Sequence, residues 1–266
     1  MRTFRLLLLA ITSSVILNCC STVPITGRKQ LNLVSDSEIN QAAALSYSKL
    51  LSDPKTTVIK GTADAERVRR VGSQIASAIQ KYLSANGLGA EYANYKWEFN
   101  LIKSDEVNAW CMPGGKVAVY TGILPLTQND AGLATVLGHE IGHAIAHHSA
   151  EQVSQQMIAQ GIGGVLGAAA GNSGAVSAVN QVYGVGGQLV LLSHSRKQES
   201  EADRLGLTFM AMAGYDPHYA VTFWQKMAAQ SKGNSPPVFL STHPADQQRI
   251  ADIQARIPEA MKYYQH

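Results

Sequence analysis

The chain has 266 residues, 45% of them hydrophobic and 15% charged, and carries a formal net charge of +3. This composition excludes a disordered polypeptide and leaves enough apolar side chains for one sizeable core. Arg2 and Arg5 lie in a segment expected to be removed, which brings the mature charge to about +1 and gives nucleic-acid binding no support.

Residues 1–19 read as a signal peptide, with a basic start, an apolar run over 6–17 interrupted by Thr12, Ser13 and Ser14, and then Cys19-Cys20-Ser21. The run falls short of the roughly 20 apolar residues that span a bilayer. A leucine three places before a cysteine, with a small residue directly before that cysteine, resembles the bacterial lipoprotein cleavage box. Cys20 is therefore expected to be the acylated first residue, with Cys19 as the alternative. Ser21 after it resembles an outer-membrane sorting signal, so the expected location is the periplasmic face of the outer membrane, lipid-anchored. A plain secretory leader is the other reading. Cys111 then remains alone in the mature domain, so no intramolecular disulfide framework is expected and stability must come from packing.

Residues 20–34 are expected to form a tether and 35–266 a single domain. Ser35-Asp36-Ser37-Glu38 has capping-box spacing and predicts a helix to about Leu51. Val68, Val71, Ile75, Ile79 and Tyr82 recur at helical steps and predict a second helix over 62–83, stopped by Asn86-Gly87. Over 95–124 the period changes to two, which predicts a small antiparallel sheet of about three strands, with Pro113-Gly114-Gly115 between two of them. Helices resume near Thr127-Gln128-Asn129-Asp130. The Gly- and Ala-rich stretch 160–192 is broken by Asn172, Ser173 and Gly174 and reads as packed small-residue helices rather than a membrane hairpin. Further helices are expected over 197–213, 218–230 and 245–256, with 232–237 a loop. The fold class is α+β, mostly helical.

The helix after Asp130 carries His139-Glu140-Ile141-Gly142-His143. Each helical residue advances by about 100°, so the two histidines project from one face within reach of one zinc ion, while Glu140 lies beside that face, able to deprotonate a water. Leu133, Val136, Leu137, Ile141, Ala144 and Ile145 make the helix apolar, and a buried helix seldom carries two His and a Glu without partners. Catalytic zinc takes a third protein ligand. The metzincin position for it is Ser149, which excludes that pattern. His147 and His148 are expected to cap the helix C-terminus. In Glu199-Ser200-Glu201-Ala202-Asp203, the residues Glu199 and Asp203 share a face. Glu199 is therefore expected as ligand, Asp203 as a carboxylate orienting an active-site His, and Glu201, pointing nearly opposite, as a solvated surface charge.

These blocks, with Asn108-Ala109 before Pro113, Ser195-Arg196 ahead of Glu199, and Thr242-His243-Pro244 with Arg249, resemble the HtpX-like and CAAX-prenyl-endopeptidase-like gluzincin zinc metallopeptidases. Val23-Pro24-Ile25-Thr26-Gly27-Arg28 looks like the lipoprotein members, of the LoiP and BepA type. The resemblance implies a zincin-like domain with an active-site helix and one zinc per subunit on His139, His143 and Glu199. It further implies Glu140 as general base, Asp203 as a supporting acid, and a strand at Asn108 and Ala109 that pairs with an extended substrate. His243 would contact either the zinc or the oxyanion. Neither the transmembrane helices of other branches nor a tetratricopeptide domain is expected. The expected function is an endopeptidase acting on unfolded or misassembled envelope proteins as membrane-anchored quality control, with an envelope protein as a further partner. A zinc-stabilised periplasmic chaperone or assembly factor with little proteolysis is the alternative.

Overall fold

Capping chemistry sets the helix boundaries. In the computed structural model, which describes residues 20–159, 194–230 and 237–264, the Ser35 side chain accepts from the Glu38 N–H and Glu38 reaches back to the Ser35 N–H, opening α1 (Asp36–Ser52). Thr62 caps α2 (Ala63–Ala85), whose Val68, Val71, Ile75 and Ile79 turn into the core, and Asn86 ends it. The expected signal peptide, which includes Cys19, all of the Gly- and Ala-rich stretch 160–192, and 232–236 of the expected loop lie outside the described residues.

The expected tether contains folded structure. β1 (Cys20–Thr22) and β2 (Lys29–Leu31) form an antiparallel hairpin, and Val23 at its turn is buried. The turn closes through Val23 N–H to Arg28 O at 2.8 Å, with Ile25 at φ 68 and Gly27 at φ 69.

A second sheet comprises β3 (Val58–Ile59), β4 (Glu98–Ile102), β5 (Ala109–Met112) and β6 (Lys116–Tyr120), in the order β3-β4-β6-β5. The expected antiparallel pairing is present at β3–β4 and β5–β6, while β4 and β6 run parallel. The chain leaves β4, skips one strand position and returns through the β5–β6 hairpin, so β6 enters beside β4 in the same direction. That route leaves β5 as one edge of the sheet, opposite β3. One sheet face packs on α1, where Ile39 and Tyr47 meet Trp110, Met112 and Ala118; the other supplies Phe99, Leu101, Val117 and Val119 to the main core.

After the short α3 (Leu124–Thr127), Asn129 rather than Thr127 caps α4 (Asp130–Ile145), accepting from the Gly132 N–H. Every residue of α4 from Gly132 onward is buried, so its two histidines and its glutamate are carried into the interior by the apolar residues around them. His147, at φ 51, breaks the helical path before α5 (His148–Ala159). Then follow α6 (Arg196–Met212), opened by a Ser195/Gln198 capping box, α7 (His218–Gln230), α8 (Val238–Thr242) and α9 (Gln247–Ala260). Among the described residues no helix is long and apolar enough to cross a membrane.

Helices α4 and α6 cross with no side-chain layer between them. A Cβ at Gly206 would lie 2.8 Å from the His139 backbone nitrogen, one at Gly138 would lie 2.9 Å from Gly206 O, and one at Gly142 would lie 2.9 Å from Ala202 O. The atoms met are backbone, so one helix must move to admit a methyl. Gly206→Ala is expected to destabilise the fold by about 1–3 kcal/mol through overpacking. A thermal melt of the variant checks this; an unchanged midpoint would show that the crossing has slack.

Candidate metal centre

Close crossing of α4 and α6 brings one turn of each into register, and the side chains of that turn converge. His139 Nε2 lies 3.0 Å from His143 Nε2 and 3.5 Å from Glu199 Oε2, and His143 Nε2 lies 3.3 Å from Glu199 Oε1. Ligand atoms about 2.0–2.1 Å from a tetrahedral zinc sit about 3.4 Å from one another, so this spacing fits the ion. His243, just beyond α8, adds Nδ1 at 3.1 Å from His139 Nε2 and 3.0 Å from Glu199 Oε1. Candidate ligand atoms of all four residues fall within 4.8 Å of one another, and all four are buried.

A second observation supports the fit. Glu140 is 3% exposed and its Oε1 has no hydrogen-bond partner, its nearest basic atom being His243 Nε2 at 3.6 Å. A buried carboxylate oxygen without a partner is costly unless water or an ion meets it. Burial pushes the Glu140 carboxyl above its ordinary pKa, with His243 and His139 opposing.

The centre carries more negative than positive groups. Glu199, Asp203 and Glu140 are buried around one guanidinium, that of Arg249. Burial works against charge on His139, yet Asp203 and Glu199 outweigh it and bring its pKa up to about 9, whereas burial and the neighbouring His194 push His143 well below its ordinary value. Burial likewise opposes ionisation of Glu199, but His243, His139 and His143 together hold it well below the usual carboxylate range.

Asp203 Oδ1 lies 3.0 Å from His139 Nδ1, so this carboxylate faces the nitrogen that points away from the ligand cluster. Arg249 fixes Asp203 bidentately, through Nε to Oδ2 at 2.9 Å and Nη2 to Oδ1 at 2.8 Å, and its Nη1 lies 3.0 Å from Glu199 Oε2. The guanidinium stacks 3.4 Å over the Trp224 ring. Arg249 stands in the sequence blocks, but its role emerges only when α9 and α6 are brought together.

Three expectations need correction. Glu201 is 7% exposed and is not a surface charge: its Oε2 lies 3.0 Å from His148 Nε2, and it accepts from Thr26 and Arg28 of the N-terminal hairpin. Burial raises the Glu201 carboxyl, but hydrogen bonds from His148, Thr26 and Arg28 outweigh it and bring it down to about 2. His148 does not cap α4; its Nδ1 lies 2.8 Å from His143 Nδ1. His147 instead meets Asp36 Oδ1 at 3.0 Å and the Tyr92 hydroxyl at 3.1 Å. His194, not singled out in the sequence, stacks on His143 with centroids 3.9 Å apart. A cleft of about 370 Å³ adjoins the centre between the starts of α6 and α9, bordered by His194, Glu199, Asp203 and Arg249.

Edge strand β5 packs beside α4. Asn108 is buried just before it, and its carbonyl accepts from the Tyr120 N–H at 3.0 Å. Asn108 Oδ1 accepts from the Ala109 N–H at 2.9 Å, so a peptide pairing at that N–H must first displace this side chain. Cys111, on the same strand, is half-buried and free.

Residues 65–257 match the family model described as Peptidase family M48. The mitochondrial metalloendopeptidase OMA1 of Schizosaccharomyces pombe is 33% identical over 239 residues, covering 90% of this chain and 66% of that protein. The mitochondrial metalloendopeptidase OMA1 of Danio rerio is 31% identical over 250 residues, covering 90% and 50%. The beta-barrel assembly-enhancing protease of Escherichia coli K12 is 31% identical over 167 residues, covering 60% of this chain and 34% of its own length. The chain thus spans between about a third and two thirds of these curated relatives.

Proposed function

We propose, from the premise that the chain belongs to peptidase family M48, the zinc-dependent gluzincin metallopeptidases, that it is a zinc endopeptidase cleaving extended polypeptide. The observation that carries the reading is the partnerless, buried Glu140 Oε1 beside the convergent donors of His139, His143 and Glu199. A binding protein has no use for an orphaned carboxylate there.

His139, His143 and Glu199 would hold the zinc and leave its fourth position to water, and His243, whose Nδ1 lies beside the donor cluster, stands where either of its two expected roles, zinc contact or oxyanion contact, is within reach. Zinc, when bound, supplies a Lewis acid that polarises the scissile carbonyl and acidifies water. Glu140 takes the proton of the attacking water at Oε1 and delivers it to the leaving amine; its burial raises its affinity for that proton. Asp203, clamped by Arg249, accepts the Nδ1 proton of His139 and so keeps Nε2 free for the metal. The substrate adds a strand along β5 near Asn108 and Ala109, through backbone groups that tolerate many sequences.

The finer reading is quality control of unfolded or misassembled envelope proteins by a chain anchored through Cys20, or Cys19, to the outer membrane, as in the LoiP and BepA type. The leader sequence and the similarity to the assembly-enhancing protease support it. The relatives named mitochondrial cover 90% of this chain against 60% for the assembly-enhancing protease, so the envelope location leans on the leader sequence.

Chelation tests the enzyme reading. Treatment of the full chain with 1,10-phenanthroline is expected to abolish cleavage of unfolded casein, and stoichiometric zinc to restore it. Cleavage that survives complete removal of metal, verified by elemental analysis, would sink the proposal.

A further inference from the structure

A chain of buried polar contacts runs from the ligand His143 to the N-terminal hairpin. His143 Nδ1 lies 2.8 Å from His148 Nδ1, and His148 Nε2 lies 3.0 Å from Glu201 Oε2. Glu201 accepts from Thr26 Oγ1 at 2.5 Å and from Arg28 Nε at 2.6 Å. Arg28 also spans to α5, donating to both oxygens of Glu151 at 2.8 and 2.9 Å, and Glu151 in turn accepts from Gln198 of α6 at 2.9 Å. Glu201, Glu151 and His148 are all buried, and His148 is fully so.

Hydrogen-bond direction along this chain is determined at both ends. A carboxylate only accepts, so His148 gives its Nε2 proton to Glu201 and presents a lone pair at Nδ1. His143 Nε2 stands in the donor cluster and must be unprotonated to bind metal, so its proton sits on Nδ1 and points to that lone pair. The two requirements meet at the single 2.8 Å contact with no conflict. Such a carboxylate partner fixes the ring orientation and tautomer of a ligating histidine and raises its basicity; here the effect passes through one intervening imidazole.

We infer that His148 and Glu201 are positioning residues for the metal ligand His143, and that the N-terminal hairpin, through Thr26 and Arg28, belongs to the metal centre rather than serving as a tether. Glu201 lies two residues beyond Glu199 on α6, so it emerges on the far side of that helix and needs a separate cover. The hairpin is that cover, seated by the buried Val23 and by Leu33 N–H to Ser154 Oγ at 2.8 Å. The inference rests on the zinc reading above.

The test uses the full chain with zinc, and with cobalt in its place, in three variants. Glu201→Gln keeps the shape and removes the charge; Arg28→Gln removes the clamp. Arg204→Gln, which breaks the 2.6 Å pair with Glu259 on another face of α6, controls for generic loss of an ion pair. Glu201→Gln and Arg28→Gln are expected to weaken zinc binding, measured by competition with a fluorescent chelator, by about 10–100-fold. They should also shift the visible absorption bands of the cobalt form and lower kcat with KM little changed. Arg204→Gln should leave zinc affinity and cobalt spectrum as in the wild type. Should circular dichroism show Arg28→Gln unfolded, Thr26→Ala serves in its place, with a smaller loss of affinity that Thr26→Ser restores. Folded variants with wild-type affinity and an unshifted spectrum overturn the inference alone, as does an equal loss in Arg204→Gln. A wild-type chain that binds no zinc overturns the enzyme reading with it.

Discussion

Glu140→Gln is expected to keep zinc bound and to lower peptide hydrolysis by about 10²–10⁴-fold, the share that a positioned general base commonly supplies. Gln has the shape of Glu and cannot take the proton. Glu140 is not among the convergent donors His139, His143, Glu199 and His243, so removing its charge leaves that cluster intact. Stability should change little or rise, because the substitution replaces a buried, partnerless carboxylate oxygen with a neutral amide. The measurements are zinc content by elemental analysis, initial rates on unfolded casein, and a thermal melt. Wild-type rates in a zinc-loaded variant would remove Glu140 from the chemistry. The same variant, crosslinked to bound chains in envelopes, addresses which polypeptides the protein engages.

Glu199→Gln acts on binding rather than on chemistry. Glu199 is the one anionic donor in the cluster, and it also neutralises Arg249, whose Nη1 lies 3.0 Å from its Oε2. With Gln there, Arg249 faces the metal position with one fewer counter-charge. Zinc affinity should fall by more than about 100-fold, beyond the range typical of outer-shell partners, and activity should vanish with it. Zinc at a thousand times its Kd stabilises a native chain by about 4 kcal/mol, so the wild-type melt should rise markedly on adding zinc and that of Glu199→Gln should not. A variant whose melt rises as the wild type does would exclude Glu199 as a ligand.

Much of this was legible in local sequence. Ser35/Glu38 and Thr62 start their helices where their spacing predicts, and the apolar residues around His139 and His143 announced a buried helix. Glu199 and Asp203 face the centre as their four-residue separation requires. What escaped depends on partners distant in sequence. The two-residue offset of Glu201 correctly turns it away from Glu199, but only the hairpin decides whether that opposite side is wet or buried. His148 reads as a continuation of α4 until the left-handed His147 breaks the path and swings it back onto His143. Alternation of period two identifies strands over 95–124 without naming their neighbours, so the parallel β4–β6 pair was out of reach.

The backbone crossing of α4 and α6 bears on how such a centre tolerates mutational drift. Backbone meets backbone at Gly138 with Gly206 and at Gly142 with Ala202, so the gap between the ligand-bearing turns is set there by main-chain contact. Substitutions among Phe223, Met227, Ile250 and Ile253 can change how firmly the domain is held without respacing the histidines and the glutamate. Persistence of the metal centre over long divergence then hangs on a few positions where size is forbidden, while the rest of the interior is free to vary.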